Sequence, residues 1–245
     1  MGLVRQDVRV TEATSSGLHE QVLARLGPAI VCGDIPDGAV LRIEEIGHDH
    51  GVSRTVARDV VKVLESLQVV TSRRRVGITV RPRAQWNHLD PRMIRWQLAG
   101  PDRDRQLRAL SELRRGIEPV AAGLAAARAD AGQCDRLAAS VQSMATTGRA
   151  GDLTAYLAHD VAFHRLLLEA SGNELFAGLA SVVGEVLAGR TEHHLMPAQP
   201  EPAAIRLHGD VAEAVEAGDS VGAERAMRAI VDEAQQAMQA THPVP

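Results

Sequence analysis

The 245-residue sequence contains only two cysteines, and aromatic residues make up 2% of it. Cys32 and Cys134 are far apart and show no spacing typical of a metal site, so we interpret both as small buried residues in a reducing compartment. No apolar run approaches the roughly 18 residues of a membrane span, and no secretory signal is visible at the start. These features predict a cytoplasmic protein that does not enter the membrane. Abundant alanine, valine and leucine beside so few aromatics favour helix over sheet.

Charge is unevenly distributed along the chain. Residues 1–83 carry 12 basic and 10 acidic side chains, whereas residues 84–245 carry 15 basic and 21 acidic ones. A weakly basic first part joined to an acidic second part indicates two domains with different tasks. We predict a flexible tail over residues 1–14, a first domain over 15–81, a linker over 82–100 and a second, all-α domain over 101–241.

The most informative stretch runs from Gly51 to Leu67. Ser53 is well placed as a helix N-cap, and the valines and leucines that follow it recur at three- and four-residue steps, which predicts a helix with one buried face. Its other face carries Arg54, Arg58 and Lys62, and Thr55 adds a hydroxyl near the tip. Arginines and hydroxyls in this arrangement suit a helix that reads the major groove of DNA. The alternative is an ordinary amphipathic helix with a solvated cationic face.

The flanking segments favour the DNA-reading interpretation. Helical spacing upstream ends at Gly33, with a kink or early break expected at Pro28, and a short second helix is expected over residues 40–49. Two β-prone pieces, residues 69–71 and 77–81, enclose Arg73, Arg74 and Arg75. This order predicts a helix-turn-helix followed by a β-hairpin wing whose arginines lie along phosphates or enter the minor groove. An exposed loop that touches nothing is the alternative for the triplet.

Residues 18–81 resemble the winged-helix domain of the GntR family of bacterial transcription regulators. The family pattern stands here as Val52-Ser-Arg-Thr55 with Arg58, preceded by the turn Gly33-Asp-Ile-Pro-Asp-Gly-Ala-Val-Leu41 and followed by the wing glycine Gly77. The resemblance implies that a double-stranded operator is contacted by the helix and the wing. Glu44 stands where the family usually has an arginine that reaches DNA, and Arg42 is the nearby candidate to replace it. The DNA-binding residues predicted here are Arg42, Ser53, Arg54, Thr55, Arg58, Arg73, Arg74, Arg75 and Gly77.

From residue 101 onward the sequence predicts helices throughout, which together form an antiparallel bundle. Six helices are expected, over residues 102–129, 133–147, 152–170, 175–187, 203–217 and 221–240. Asp160 and His164 are four residues apart and therefore share a helix face. A carboxylate and an imidazole at this spacing suit a divalent cation, with His208 as a third ligand, although such pairs also occur as surface pairs without a metal.

Residues 101–240 resemble the FCD ligand-binding domain of the FadR branch of GntR regulators. The matching pieces are Glu112–Glu118, Asp160–His164, Ser171–Asn173, and His208 with Ala214–Asp219. The resemblance implies a zinc or nickel ion held by Asp160, His164 and His208, and an effector carboxylate bound with the help of Arg114 and Asn173. Ile230 stands where the family has a fourth ligand. Three alternatives are therefore open: a site with three protein ligands, a site completed by His193 or His194, and direct effector binding without a metal.

These features predict a DNA-binding transcription regulator rather than an enzyme. We expect a homodimer on an inverted-repeat operator, acting as a repressor released by a small carboxylate or sugar acid. The linker sequence Trp86-Asn-His-Leu-Asp-Pro91 resembles that of regulators of sugar-acid catabolism. Two alternatives use the same three ligands: a sensor in which the metal is the signal, and a metallohydrolase.

Overall fold

The computed structural model describes residues 15–192 and 202–241, which form two compact units, one ending at His88 and the other beginning at Leu89. The predicted tail of residues 1–14 and the pair His193 and His194 lie outside the described residues. Within the described ranges the chain forms eleven α-helices and one three-stranded antiparallel sheet, so the predicted mainly α fold class is confirmed. None of these helices is both long and apolar enough to cross a membrane.

The first unit is a three-helix core with a small sheet. Its elements are α1 (Ser15–Val31), β1 (Val40–Leu41), α2 (Ile43–Asp49), α3 (Arg54–Ser66), β2 (Val70–Arg73), β3 (Gly77–Val80) and a 3-10 turn (Arg83–Gln85). The sheet order is β1-β3-β2, with β3 antiparallel to both neighbours. The core is built from apolar side chains of α1, α3 and the sheet, including Leu23, Ile30, Val60, Leu64, Val70 and Val80. This packing fixes α3 by its apolar face and leaves its cationic face outward.

Two local expectations for this unit are corrected. Val40 and Leu41 form a strand instead of starting the second helix, because their backbones pair with Thr79 and Ile78 of β3. Pro28 does not break α1, which continues to Val31. The last turn persists because Ile30 and Val31 are buried in the core and because the Cys32 N–H closes it by donating to the Pro28 carbonyl at 2.8 Å.

The second unit is helical throughout its described residues. It comprises α4 (Pro91–Ala99), α5 (Arg103–Arg128), α6 (Ala131–Ala150), α7 (Leu153–Ala170), α8 (Glu174–Gly178), α9 (Ala180–Glu192), α10 (Pro202–Glu216) and α11 (Ser220–Thr241). The single helix expected over residues 175–187 is instead two helices separated at Leu179. Asn173 caps the short α8 by accepting from the Leu175 N–H, and the Leu179 N–H donates back to Phe176 O, so the first helix ends there.

Helix α5 lies at the centre of the second unit and packs against α4, α7, α9, α10 and α11. The main apolar core fills the space between α5, α6, α7, α10 and α11, with Phe163, Leu167 and Met227 fully buried. On the other side, α4 packs against α9. A Cβ at Gly189 would lie 2.5 Å from Leu98 Cδ1, so the Leu98 side chain packs directly over this glycine. Arg190 follows this contact directly.

The segment assigned to a linker is divided between the two units. Trp86 belongs to the first, where its indole N–H donates to Arg81 O at 2.8 Å. In the second unit, Asp90 caps α4 by accepting from the Arg92 N–H at 2.8 Å, with Pro91 in the first turn. Ile94 and Leu98 of α4 are buried against α5 and α9. Residues 91–99 are therefore part of the packed second unit.

Candidate functional site

The first candidate site is the outer face of α3. Ser53 caps the helix, its hydroxyl accepting from the Val56 N–H at 3.3 Å. The buried side of α3 anchors it to the core, while Arg54, Thr55 and Arg58 are exposed on the opposite side. Gly51, with φ of 63°, makes the left-handed step between α2 and α3, and the Val52 N–H then donates to Gly47 O at 2.9 Å. This turn sets the angle at which the α3 face is presented.

An ion pair joins the two helices on this face. Arg54 Nη2 lies 3.2 Å from Glu44 Oε1, and the two side chains are 68% and 58% exposed. Such an exposed pair contributes little to stability, on the order of 1 kcal/mol at most. It does, however, hold the guanidinium beside a carboxylate at the surface where the sequence predicts DNA contact. Arg42 is exposed immediately before α2.

The arginine triplet begins at Arg73, the last residue of β2, and continues into the hairpin turn that leads to β3. Arg73, Arg74 and Arg75 are exposed, and Arg75 takes a left-handed φ of 70°. Gly77 has φ of 115°, and a Cβ there would lie 2.9 Å from Val40 Cγ1 and 3.0 Å from Leu41 O, so β1 leaves room only for glycine. Glu65 ties the wing to α3 by accepting from the Ser72 N–H at 2.8 Å. This bond connects β2 to the last turn of α3.

The second candidate site is a buried polar cluster inside the bundle of the second unit. It is formed by Asp160 and His164 of α7 and by His208 of α10, all below 9% exposure. Asp160 Oδ1 lies 3.4 Å from His164 Nε2 and 3.2 Å from His208 Nε2, and the two Nε2 atoms are 3.4 Å apart. Three atoms able to bind one cation therefore meet at a single point, as the sequence predicted.

The outer nitrogens of both imidazoles have partners of their own. His164 Nδ1 lies 2.8 Å from Glu118 Oε2, and His208 Nδ1 lies 2.7 Å from Ala204 O. Phe163 contacts both rings edge-on, with centroids 5.8 Å from His164 and 5.0 Å from His208. These contacts orient the rings so that each Nε2 is turned toward Asp160. A carboxylate or carbonyl behind a histidine is the usual support of a metal-binding imidazole.

Arg114 and Glu118, one turn apart on α5, form a fully buried pair next to this cluster. Arg114 Nε donates to Glu118 Oε1 at 2.5 Å, and Nη2 donates to Oε2 at 3.1 Å. Burial alone would raise the pKa of Glu118, but Arg114 and then His164 outweigh burial and lower it to about 2. Burial likewise opposes a charge on His164, yet Glu118 and Asp160 raise the pKa of that ring. The carboxylates of the cluster thus remain charged although they are buried.

A second buried arginine, Arg190 of α9, lies near the same group. It is only 8% exposed, and its Nε has no hydrogen-bond partner among the residues that the structure describes. Burial lowers the pKa of Arg190 to about 10, and Arg114 adds to this effect, while Asp160 and Glu233 oppose it. Two buried guanidinium groups therefore lie near the cluster, and within the described part of the chain only that of Arg114 forms an ion pair.

The structure thus brings together Asp160, His164 and His208. Arg114 does not contact them directly; it contacts Glu118, which in turn contacts His164. Asn173, predicted to help bind the effector, uses its side chain to cap α8, where Oδ1 accepts from the Leu175 N–H. Sequence reasoning assigned no role to Glu118, although its four-residue spacing from Arg114 on one helix indicated a pair. It missed Arg190 altogether, since nothing in the local pattern of α9 marks that residue as buried. Ile230 is buried in the apolar core.

Comparison with known proteins links both sites to one family. Residues 18–80 match the profile of bacterial regulatory proteins of the gntR family, and residues 109–233 match that of the FCD domain. The galactonate operon transcriptional repressor of Escherichia coli K12 is 26% identical over 209 residues, covering 84% of this chain and 90% of that protein. A protein of Paenarthrobacter nicotinovorans described as a probable D-xylose utilization operon transcriptional repressor is 27% identical, covering 90% and 88%.

Solved structures agree with this assignment. A GntR protein of Streptococcus agalactiae aligns with a TM-score of 0.51 and 25% identity, covering 89% of this chain and 99% of that one. E. coli McbR/YncC aligns with a TM-score of 0.54 and 18% identity, covering 92% and 98%, which supports the fold alone.

Proposed function

This chain belongs to the GntR family of bacterial regulatory proteins and carries an FCD domain, and we propose that it is a repressor that leaves its operator when a small carboxylate binds the buried cluster. A ligand-responsive, DNA-binding transcription regulator is the function of the two domains together. The single observation that carries the finer proposal is the Asp160–His164–His208 group, which is buried inside the helical bundle next to its apolar core.

In DNA binding, α3 enters the major groove with its exposed face. Arg54 and Arg58 contact guanine edges or phosphates, and Ser53 and Thr55 contact phosphates near the helix tip. The wing arginines lie in the adjacent minor groove, where positive side chains are attracted by the negative potential. Two copies of the chain bind the two halves of an inverted repeat, because one short helix reads too few base pairs to select a site.

The cluster fits a divalent cation by three independent criteria. Zinc bonded tetrahedrally to nitrogen and oxygen at 2.0–2.1 Å requires its ligand atoms to be about 3.3–3.4 Å apart, and the three observed separations are 3.2, 3.4 and 3.4 Å. The donor set is of the type that zinc and nickel accept. Both imidazoles also have the supporting contact behind the ring that metal-binding histidines have.

Asp160, His164 and His208 would hold the cation, which would supply a Lewis-acid position for an oxygen of the ligand. Ile230, at the position where the family has a fourth ligand, is apolar and buried. A fourth position is therefore left to a small oxygen ligand. A carboxylate is the ligand chemistry that matches a cation and buried arginines in one place. The galactonate-operon repressor named above supports a sugar acid as the effector class.

Release follows from differential binding. If the carboxylate binds one arrangement of the dimer more tightly than the arrangement that fits the operator, it shifts the population away from DNA. A metallohydrolase is not favoured, because the curated relatives are transcriptional repressors.

The proposal is tested by fluorescence anisotropy of the purified protein on the DNA upstream of its own gene. Wild-type protein should bind this DNA more tightly than scrambled DNA of equal length, and the Arg54→Ala, Arg58→Ala double variant should lose the difference. Arg108→Ala, which removes an exposed arginine of the second unit, is the matched control and should behave as wild type. Equal, salt-sensitive binding to both DNAs by the wild type would disprove specific recognition.

A further inference from the structure

Arg190 differs from the other buried charges beside the cluster, because no residue that the structure describes pairs with it directly. Glu118 accepts two hydrogen bonds from Arg114, and Asp160 contacts two imidazoles. Arg190 has no ion pair within the described ranges, and its buried Nε donates to no acceptor there. Buried charges in proteins are almost always paired or bound to a ligand, since the desolvation of a lone charge is costly.

The buried charges around the cluster would also be unbalanced once a divalent cation is bound. Arg114 and Arg190 balance Glu118 and Asp160 when the imidazoles are neutral. The proposed divalent cation adds two positive charges, and half-buried Glu233, whose charge acts on Arg190, offsets one of them. Positive charge would therefore be in excess, and an anionic ligand would offset it.

We propose that Arg190, and not Arg114, is the residue that binds the carboxylate of the effector. This inference rests on the proposed function, because it assigns a residue to the ligand site of that function. A guanidinium offers two parallel N–H donors that match the two oxygens of a carboxylate. The fork of Arg114 already makes this bidentate contact with Glu118. By contrast, the Nε of Arg190 donates to no acceptor among the residues that the structure describes.

The two arginines are distinguished first without any ligand. Arg190→Met keeps an unbranched side chain and removes the uncompensated charge, so the variant should melt at the same temperature as wild type or higher. Arg114→Met leaves Glu118 without its partner and should melt lower, by about 10 °C. If Arg190→Met melts clearly lower than wild type in ligand-free buffer, partners within the protein hold Arg190, and the inference is wrong.

The second measurement uses thermal shift with a panel of short monocarboxylates and sugar acids, galactonate among them. Galactitol serves as a neutral control that has the hydroxyls without the carboxylate. An acid that stabilises the wild type should stabilise Arg190→Met only at about 100-fold higher concentration. Arg190→Lys, which keeps the charge but loses the bidentate fork, should bind with an intermediate affinity. An acid that shifts wild type and Arg190→Met equally would overturn the assignment.

Operator binding separates failure of this inference from failure of the proposed function. Arg190→Met should bind the operator as wild type does, and a stabilising acid should release the wild type but not the variant. If no acid in the panel stabilises the wild type, the carboxylate effector class is wrong and the inference falls with it. If acids release both proteins equally, the function stands and only the role of Arg190 is wrong.

Discussion

Replacing Arg114 or Glu118 tests whether the pair inside α5 behaves as a buried ion pair. Both side chains are at most 2% exposed and are joined by two hydrogen bonds. Removing one partner leaves the other as a lone buried charge, which costs about 3–5 kcal/mol of unfolding free energy. The pKa of Glu118 gives a similar magnitude, because a decrease from 4.5 to about 2 corresponds to about 3 kcal/mol. We therefore expect Glu118→Met and Arg114→Met each to destabilise the second unit by about 3 kcal/mol or more.

The double variant provides the decisive comparison. When both charges are replaced by apolar groups of similar length, the desolvation penalty disappears together with the attraction, so the double variant should cost less than either single one. The contribution of Glu118 is fully present above pH 4.5, its unfolded value, and is lost as the pH falls toward 2. The stability difference between wild type and Glu118→Met should therefore narrow across that range.

The measurement is urea unfolding followed by helical circular dichroism, which reports mainly the second unit because eight of the eleven described helices lie there. A chelator in all samples keeps metal occupancy equal, which matters because Glu118 contacts His164. Additive effects of the two single substitutions, within about 0.5 kcal/mol, would refute the reasoning, since they would show that the two charges do not interact.

Three further predictions concern the two candidate sites. Glu44→Ala should strengthen operator binding up to severalfold in anisotropy, because it removes a carboxylate from the DNA-facing surface and frees Arg54; weaker binding would show that the pair positions Arg54 productively. Gly77→Ala should lower the melting temperature and weaken operator binding, at a cost of about 1–3 kcal/mol, because φ is positive and β1 blocks a Cβ. His164→Ala should lose most of the zinc that the wild type retains after dialysis, as measured by mass spectrometry. His159→Ala, half-buried on the same helix and outside the cluster, should retain it, and equal zinc contents would exclude the site.

Several features were determined locally and could be predicted from the sequence. The Ser53 cap, the apolar stripe of α3 and the Asp90-Pro91 start of α4 depend on residues within one or two turns of each other. The same holds for the Asp160–His164 spacing, which the helix geometry converts into a shared face. His208 was added to this pair by resemblance, and the structure places it within 3.4 Å of His164.

Long-range contacts explain where local reasoning failed. Val40–Leu41 is a strand because β3, nearly forty residues later in the chain, pairs with it. The last turn of α1 continues through Pro28 because the core buries Ile30 and Val31. In both cases the stabilising contacts involve residues that are remote in sequence, so a pattern of neighbouring residues cannot predict them.

Sequence alone predicted a basic first part and an acidic second part, a cationic face on α3 and a shared face for Asp160 and His164, because each follows from charge distribution, helical periodicity or residue spacing. Tertiary structure alone decided which of two buried arginines is paired. Arg114 and Arg190 are alike as residues, but packing places Glu118 against the first, whereas the Nε of the second has no acceptor among the described residues. The reason is that the energy of a buried charge depends on what the fold brings next to it, and that neighbour comes from elsewhere in the chain.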